Sequence, residues 1–456
     1  MKEHSGKIEL LGYAPVPKAL LAMGLPAMIG MMINALYNLV DAWFVGGLGT
    51  SQMGAITVVF PLGQIVVGLG LLFGSGAASY ISRLLGRGEK ETADKAASTA
   101  LYSGILAGTV LIGGVILFLN PILEQLGATE SIMPYAKVYA GIYIISSIFN
   151  ILNVTMNNIV TSEGAAKTTM FALMAGAVLN IILDPVFIYV LKLGVAGAAI
   201  ATGISQVVST LVYLVYILRG KSIFHFRLRD CCFSKKIVSE ILKIGIPTMI
   251  FQLLTSLSIT LITKQARGYG DSVIAGMGVV TRITSMGSLM VFGFIKGFQP
   301  IAGYSYGAKK YGRLSEAIRT SILWSTIFCT AFGLAAALFS GGIVSQFTQG
   351  DPELILIGEK ALRANGLSFL LFGFYTVYSS LFLALGRGKA GFILGACRQG
   401  ICFVPVILLL PMAWGVNGIL YAQPIADVLS AVIAVCMAIR LHRELRQAQR
   451  GAAVIY

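Results

Sequence analysis

Asp41 lies in a stretch from Lys18 to Val45 that is otherwise almost wholly uncharged and apolar. An ionised carboxylate at the centre of a hydrophobic helix costs about 2.5–3.5 kcal/mol on insertion scales, so it must face protein or a wet cavity. Asn34, Tyr37 and Asp41 recur at i, i+3 and i+7, with Asn38 alongside, and make one polar stripe. Two other apolar stretches repeat the idea: Asn180 and Asp184 share a helical face at i, i+4, as do Thr202 and Gln206. A fourth carries Asn150, Asn153 and Asn157 at i, i+3 and i+7, with Tyr139 and Tyr143 upstream. Pro185 lacks the amide hydrogen that would bind the carbonyl of Ile181, which frees one more oxygen. Two acids, an amide, a hydroxyl and a phenol brought together would hold a proton or a hard cation. The candidate coupling-ion residues are therefore Asp41, Asp184, Asn180, Thr202 and Tyr139. If the ion is Na⁺, its ligands would be Asp41, Asn180, Asp184 and Thr202.

The elements that must position them are membrane helices. Of 456 residues, 56% are hydrophobic and 12% charged, where a soluble globular chain carries about 25% charged. Twelve apolar spans are read at roughly 18–45, 53–82, 96–119, 135–160, 169–190, 195–218, 239–265, 273–302, 316–341, 361–385, 391–413 and 418–440. Each approaches or exceeds the ~20 residues that a bilayer demands. The first is too long for a signal peptide and is expected to be retained. Within a net charge of +15, the cations crowd into one set of loops, which hold Arg83, Arg87, Lys90, Lys167, Arg227, Lys309, Arg387 and Arg443, while the opposite loops are nearly bare. "NPILEQLGATESIMP" and "GGIVSQFTQGDPE" on the other side hold none. The positive-inside rule then places both termini in the cytoplasm of a multi-pass protein in a bacterial or archaeal plasma (inner) membrane. The same asymmetry argues against nucleic acid as partner. Asp41, Asp184, Tyr139 and Thr202 all lie about four to seven residues from the outer ends of their spans, a common layer at 1.5 Å per residue.

The chain matches itself at an offset of 221 without gaps. Gly24, Pro26 and Met28 fall on Gly245, Pro247 and Met249, and "GVAGAAIATGISQVVS" from Gly194 falls on "GVNGILYAQPIADVLS" from Gly415. A duplicated six-helix unit of even count gives parallel repeats, a transporter architecture. The expected fold is an all-α polytopic membrane protein, with twelve transmembrane helices in two parallel six-helix repeats around a central cleft. The expected division is an N-lobe at 1–218, a cytoplasmic linker at 219–238, a C-lobe at 239–440 and a tail at 441–456. Shifted by 221, Asp41 becomes Ile262 and Asp184 becomes Pro405. The acids exist in one lobe only, which assigns coupling to that lobe.

"GLP" and "GIP" opening the two halves, "NLVDAWFVGGLG", "ISRLLGRGEKETADKAA", "TSEGAAK" and "NIILDPVFIY" together resemble the MATE (multidrug and toxic compound extrusion) family. The resemblance covers essentially the whole chain and points to the prokaryotic DinF-type and MepA-like branch. It implies secondary active antiport by a rocking motion: an organic cation or other amphipathic drug leaves while H⁺, or alternatively Na⁺, enters. It also implies that the Asp of the first span and the Asn/Asp pair of the fifth are coupling residues. The Na⁺-coupled NorM-type branch places acids in the C-lobe, where this chain's first helix offers only Glu240. No cofactor is implied beyond the ion gradient, and the working unit is expected to be a monomer.

Substrate-cleft candidates are Tyr37, Asn34, Asn153, Asn157, Gln206 and Met31, the last among several helical methionines that give soft, adaptable walls. In the C-lobe, Arg282 and Asp427 stand at one depth with opposite sign, which reads as a structural ion pair. Lys296 lies near a span end, where snorkelling would satisfy it. An enzyme is disfavoured: His4, His225 and His442 all lie outside the spans, and no nucleophile elbow or phosphate loop occurs. A major-facilitator-type transporter is also a six-plus-six design, but lacks the Gly-Pro openings and the acid of the first span. A lipid-linked precursor flippase would want a strongly cationic cleft, against which the N-lobe acids argue.

Overall fold

A computed structural model describes residues 2–347 and 352–453. In hydrocarbon every backbone polar group must be satisfied within the chain, so the long apolar runs fold as helices. Among the described residues eleven helices are long and apolar enough to cross a membrane, and a bent pair supplies the twelfth crossing. The chain is an all-α polytopic membrane protein built from two six-span lobes. The spans of the first lobe are Val16–Gly46, Thr50–Arg87, Lys90–Leu117, Met133–Ser162, Ala166–Pro185 and Val195–Leu218. Those of the second begin with Lys235–Arg267, Asp271–Gly307 and Tyr311–Leu338.

Three features depart from the sequence reading. The tenth span is not continuous over 361–385: Pro352–Phe369 and Phe372–Ala384 meet at 51°, with Phe369 and Phe372 stacked at the bend, ring centroids 5.0 Å apart. The last helix, Val416–Ala453, runs through the expected boundary at 440, so the described part of the tail continues the twelfth span. The rest of that tail, 454–456, lies outside the described residues. The third departure is a helix at Lys2–Gly12 ahead of the first span.

The duplication is visible in backbone detail. Short helices follow the third and ninth spans at Leu119–Gln125 and Ser340–Ser345, again 221 apart. Gly194 and Gly415 precede the sixth and twelfth spans with the same φ of 56° and ψ of −131° and −134°, a conformation that only glycine adopts readily.

The lobes approach main chain to main chain at the end that carries the basic loops. A Cβ on Gly86 would strike the main chain of Tyr304, and one on Gly307 the main chain of Arg83. The offset of 221 carries each of these pairs onto the other. The lobes therefore close on a pseudo-two-fold axis through glycine contacts of the kind that lets membrane helices approach. Arg83 adds an ion pair across the same interface, 2.8 Å from Glu240. This accounts for Glu240, the acid left over in the first helix of the second lobe.

The N-terminal helix spans both lobes at that end. Lys7 lies 3.3 Å from Glu163 at the end of the fourth span. Lys310 donates to the Gly12 carbonyl and Arg313 to those of Leu10 and Leu11. Burial pushes the Glu163 carboxyl above its ordinary range, against the opposing pull of Lys7, the Tyr216 hydroxyl and the Ile223 amide. A carboxyl raised on folding contributes stability that is present below its unfolded value and lost as pH rises through the folded one. Lys7→Met should therefore loosen the helix by about 3 kcal/mol at neutral pH, the cost of leaving a buried charge unpaired. The loss should shrink on acidification as Glu163 takes up a proton. Protease cleavage at the N-terminal helix reads both effects, and a loss that does not change with pH would contradict the assignment.

Candidate functional site

The polar stripes meet inside the first lobe. The first span delivers Asp41, the fifth Asn180 and Asp184, and the sixth Thr202. Asp184 and Asn180 are buried, at 0% and 1% exposure. The carboxyls of Asp41 and Asp184 lie near enough to act on each other electrostatically. Asn180 Nδ2 donates to Asp184 Oδ1 at 3.3 Å and to Thr202 Oγ1 at 3.4 Å. Three acceptor oxygens are buried without a hydrogen-bond partner: Asp41 Oδ1, Asn180 Oδ1 and Asp184 Oδ2. An unsatisfied buried polar atom costs about 1–3 kcal/mol, and more when charged. What the cluster wants is a donor or a cation. A proton shared by the two carboxyls supplies the first. The oxygens of Asp41, Asn180, Asp184 and Thr202 also suit a hard cation such as Na⁺.

Tyr139 is buried beside this cluster, stacked on Tyr143 with ring centroids 5.9 Å apart. Among the described residues its hydroxyl makes no hydrogen bond to either acid, and its ring forms part of the wall beside them. Next to the cluster lies a chamber of about 40 Å³, lined in part by Asn34, Tyr37, Asn153, Asn180, Thr202 and Gln206. That is room for a water or two. Asn153 Nδ2 donates to Gln206 Oε1 at 2.6 Å.

A separate compartment lies between the lobes, a cleft of about 630 Å³, the size of a drug-binding site. Of the six residues expected to line it, only Met31 does. Asn34, Tyr37, Asn153 and Gln206 face the small chamber. Asn157 stands between the two, accepting from Lys296 Nζ at 3.0 Å and donating to the Tyr213 hydroxyl at 3.3 Å. Helical spacing put all these residues on interior faces, but periodicity does not tell an interior within one lobe from the gap between two.

The cleft walls include Phe251, Phe292, Met277, Gln252, Gln299 and Lys296. No carboxylate lines the cleft among the described residues. Asp41 and Asp184 are not among the residues that line it, so the first lobe's acids do not count against a flippase.

Three charged residues, Arg282, Asp427 and Lys296, stand differently from the sequence reading. Asp427 pairs with Arg398, whose Nε lies 2.8 Å from Asp427 Oδ1, and not with Arg282, which is exposed. Ser368 and Gln423 complete the hydrogen bonds of Asp427. The signal was present, since Arg398 is a cation well inside an apolar span. Lys296 lines the cleft and bonds across the lobe boundary instead of reaching for the membrane surface.

A family model matches this geometry in sequence: MatE, over residues 26–186 and 247–409, one match in each lobe. The chain belongs to the MatE family. It is accordingly a membrane transporter and not an enzyme. It is similar to the multidrug export protein MepA of Staphylococcus aureus strain MSSA476, 30% identical over 433 residues and 95% of each chain. MepA of Staphylococcus saprophyticus is 29% identical over 94% of each. A crystal structure of MATE in complex with MaL6 superposes with a TM-score of 0.92 at 27% identity, covering 96% of this chain and 99% of that one. An outward-facing multidrug resistance MATE transporter of the MOP superfamily superposes with a TM-score of 0.90 at 27% identity, covering 96% and 98%.

Proposed function

We propose that this chain exports amphipathic, drug-like compounds, organic cations among them, in exchange for protons. The resemblance to the multidrug export protein MepA over 95% of the chain supports the substrate class. The observation that carries the coupling is the pair of neighbouring carboxyls with unpartnered buried oxygens, set apart from the cleft. Two carboxylates that close in a poorly solvated site do not both stay ionised, so a proton is the economical ion. With the basic loops and both termini in the cytoplasm of a bacterial or archaeal plasma membrane, the conformation described is closed inward and the acids lie in the outer half. Protons then enter from outside, the first span repacks, and the lobes of a single monomer rock the cleft toward the cytoplasm. Na⁺ competes for the same oxygens.

The test is dye accumulation in cells stripped of their own exporters. Cells carrying the protein should hold less dye, and an ionophore that collapses the proton gradient should restore full accumulation. Retained export under the ionophore would contradict proton coupling. Within the cluster, Asp184→Asn should stop export, while Asn180→Ala and Thr202→Ala should weaken it several-fold, as neutral ligands worth about 1 kcal/mol each. Asn180→Ala being worse than Asp184→Asn would make the cluster a structural staple.

A further inference from the structure

We infer that the central cleft carries an anion-binding site at Lys296, and that its ligands are amphipaths bearing an anionic group. This rests on the cleft being the substrate site, as proposed above. Lys296 projects into the 630 Å³ cleft from the eighth span, and the only hydrogen bond it makes among the described residues is to the neutral Asn157 Oδ1, at 3.0 Å. It belongs to no ion pair among those residues, and no Asp or Glu lines the cleft.

Among the described residues, the acids buried within the spans are committed elsewhere. Asp427 is held by Arg398, Ser368 and Gln423, and Asp41 and Asp184 face each other inside the first lobe. A cation at membrane depth normally finds a countercharge. Here the ligand brings it. Phe251, Phe292 and Met277 give the rest of the cleft an apolar surface, which fits an amphipath whose anionic end reaches Lys296. The rings also leave room for a cationic or aromatic part of the same molecule. Lys296 reaches Asn157 from the other lobe, so an anion that takes up the ammonium replaces an interlobe hydrogen bond at the floor of the cleft.

A matched pair of dyes isolates the anionic group: tetramethylrhodamine with a free carboxylate, and its methyl ester. Binding to the purified full chain in lipid nanodiscs is followed by fluorescence polarisation. Wild type should bind the acid more tightly than the ester. Lys296→Gln should weaken the acid by about tenfold, as expected for a charge-assisted hydrogen bond, and leave the ester within about twofold. Lys296→Arg should restore the acid. Unchanged ester binding also certifies that the variant is folded.

A lipid phosphate presents the same chemistry, and short-chain phosphatidylglycerol added as competitor separates the two sources. Lipid displacing the acid dye at lower concentration than the dye's own dissociation constant assigns the site to lipid, and the reverse assigns it to carboxylate amphipaths. Equal losses for both dyes, or tighter binding of the ester by wild type, would overturn the anion site and leave the exporter reading intact. Failure of wild type to bind either dye would overturn both.

Discussion

Asp41→Asn is expected to leave the protein folded and inserted yet unable to drive substrate uphill. One proton exchanged per substrate across one pH unit supports about a tenfold concentration ratio. The variant should equilibrate substrate to a ratio of about one instead. The substitution keeps shape and removes only the titratable group. The carboxyl it replaces is half-buried, near Asp184, with one oxygen unpartnered. Losing it relieves like-charge crowding, so thermal stability should hold or rise. A structural staple would behave oppositely, with lower stability and transport failing only in proportion to protein lost. Uphill accumulation at wild-type level, at equal membrane abundance, would remove Asp41 from the coupling site.

The second large effect concerns the closed end of the lobes. Gly86→Val and Gly307→Val each place a side chain where the main chain of the other lobe lies, at Tyr304 and Arg83 respectively. Overpacking costs about 1–3 kcal/mol where side chains can adjust, and main chain adjusts less. The contact exists only while the basic ends are together, so the cost falls on that state alone. A shift of about 1.4 kcal/mol changes the ratio of closed to open by tenfold. Spin labels at Lys90 and Lys309, both exposed at this end, should report a longer separation in either variant. The two shifts should be similar, because the glycines are equivalent under the repeat. An unchanged distance distribution in both would mean that this interface does not open.

How much of this was legible beforehand follows from what one-dimensional patterns encode. Span positions follow from apolar run length, and the repeat from a constant offset, so the architecture could be read directly. Asp41, Asp184 and Thr202 were recognisable as a group because each is polar where hydrocarbon demands otherwise and they lie at one depth, and Asn180 joined them by sharing a helical face with Asp184. The division into two compartments was not readable. Asn153 and Gln206 bond to each other within a lobe, while Lys296 and Asn157 bond between lobes, and a helical wheel treats both as interior.

Depth matching chose Arg282 for Asp427 because it fixes height without azimuth. The repeat would have served better. Thr202 and Gln206 correspond to Gln423 and Asp427, and in the second lobe Gln423 and Arg398 both bind Asp427. That lobe therefore holds a charge-balanced version of the site, fixed by a built-in cation. The corresponding cluster of the first lobe, Asp41, Asn180, Asp184 and Thr202, includes no built-in cation, which fits the ion site proposed there.

The most direct test is substrate efflux from proteoliposomes holding wild type or Asp184→Asn, with a proton gradient or a Na⁺ gradient imposed one at a time. The account predicts uphill efflux by wild type under the proton gradient, and none by Asp184→Asn under either. Proton-driven efflux surviving in Asp184→Asn would contradict it.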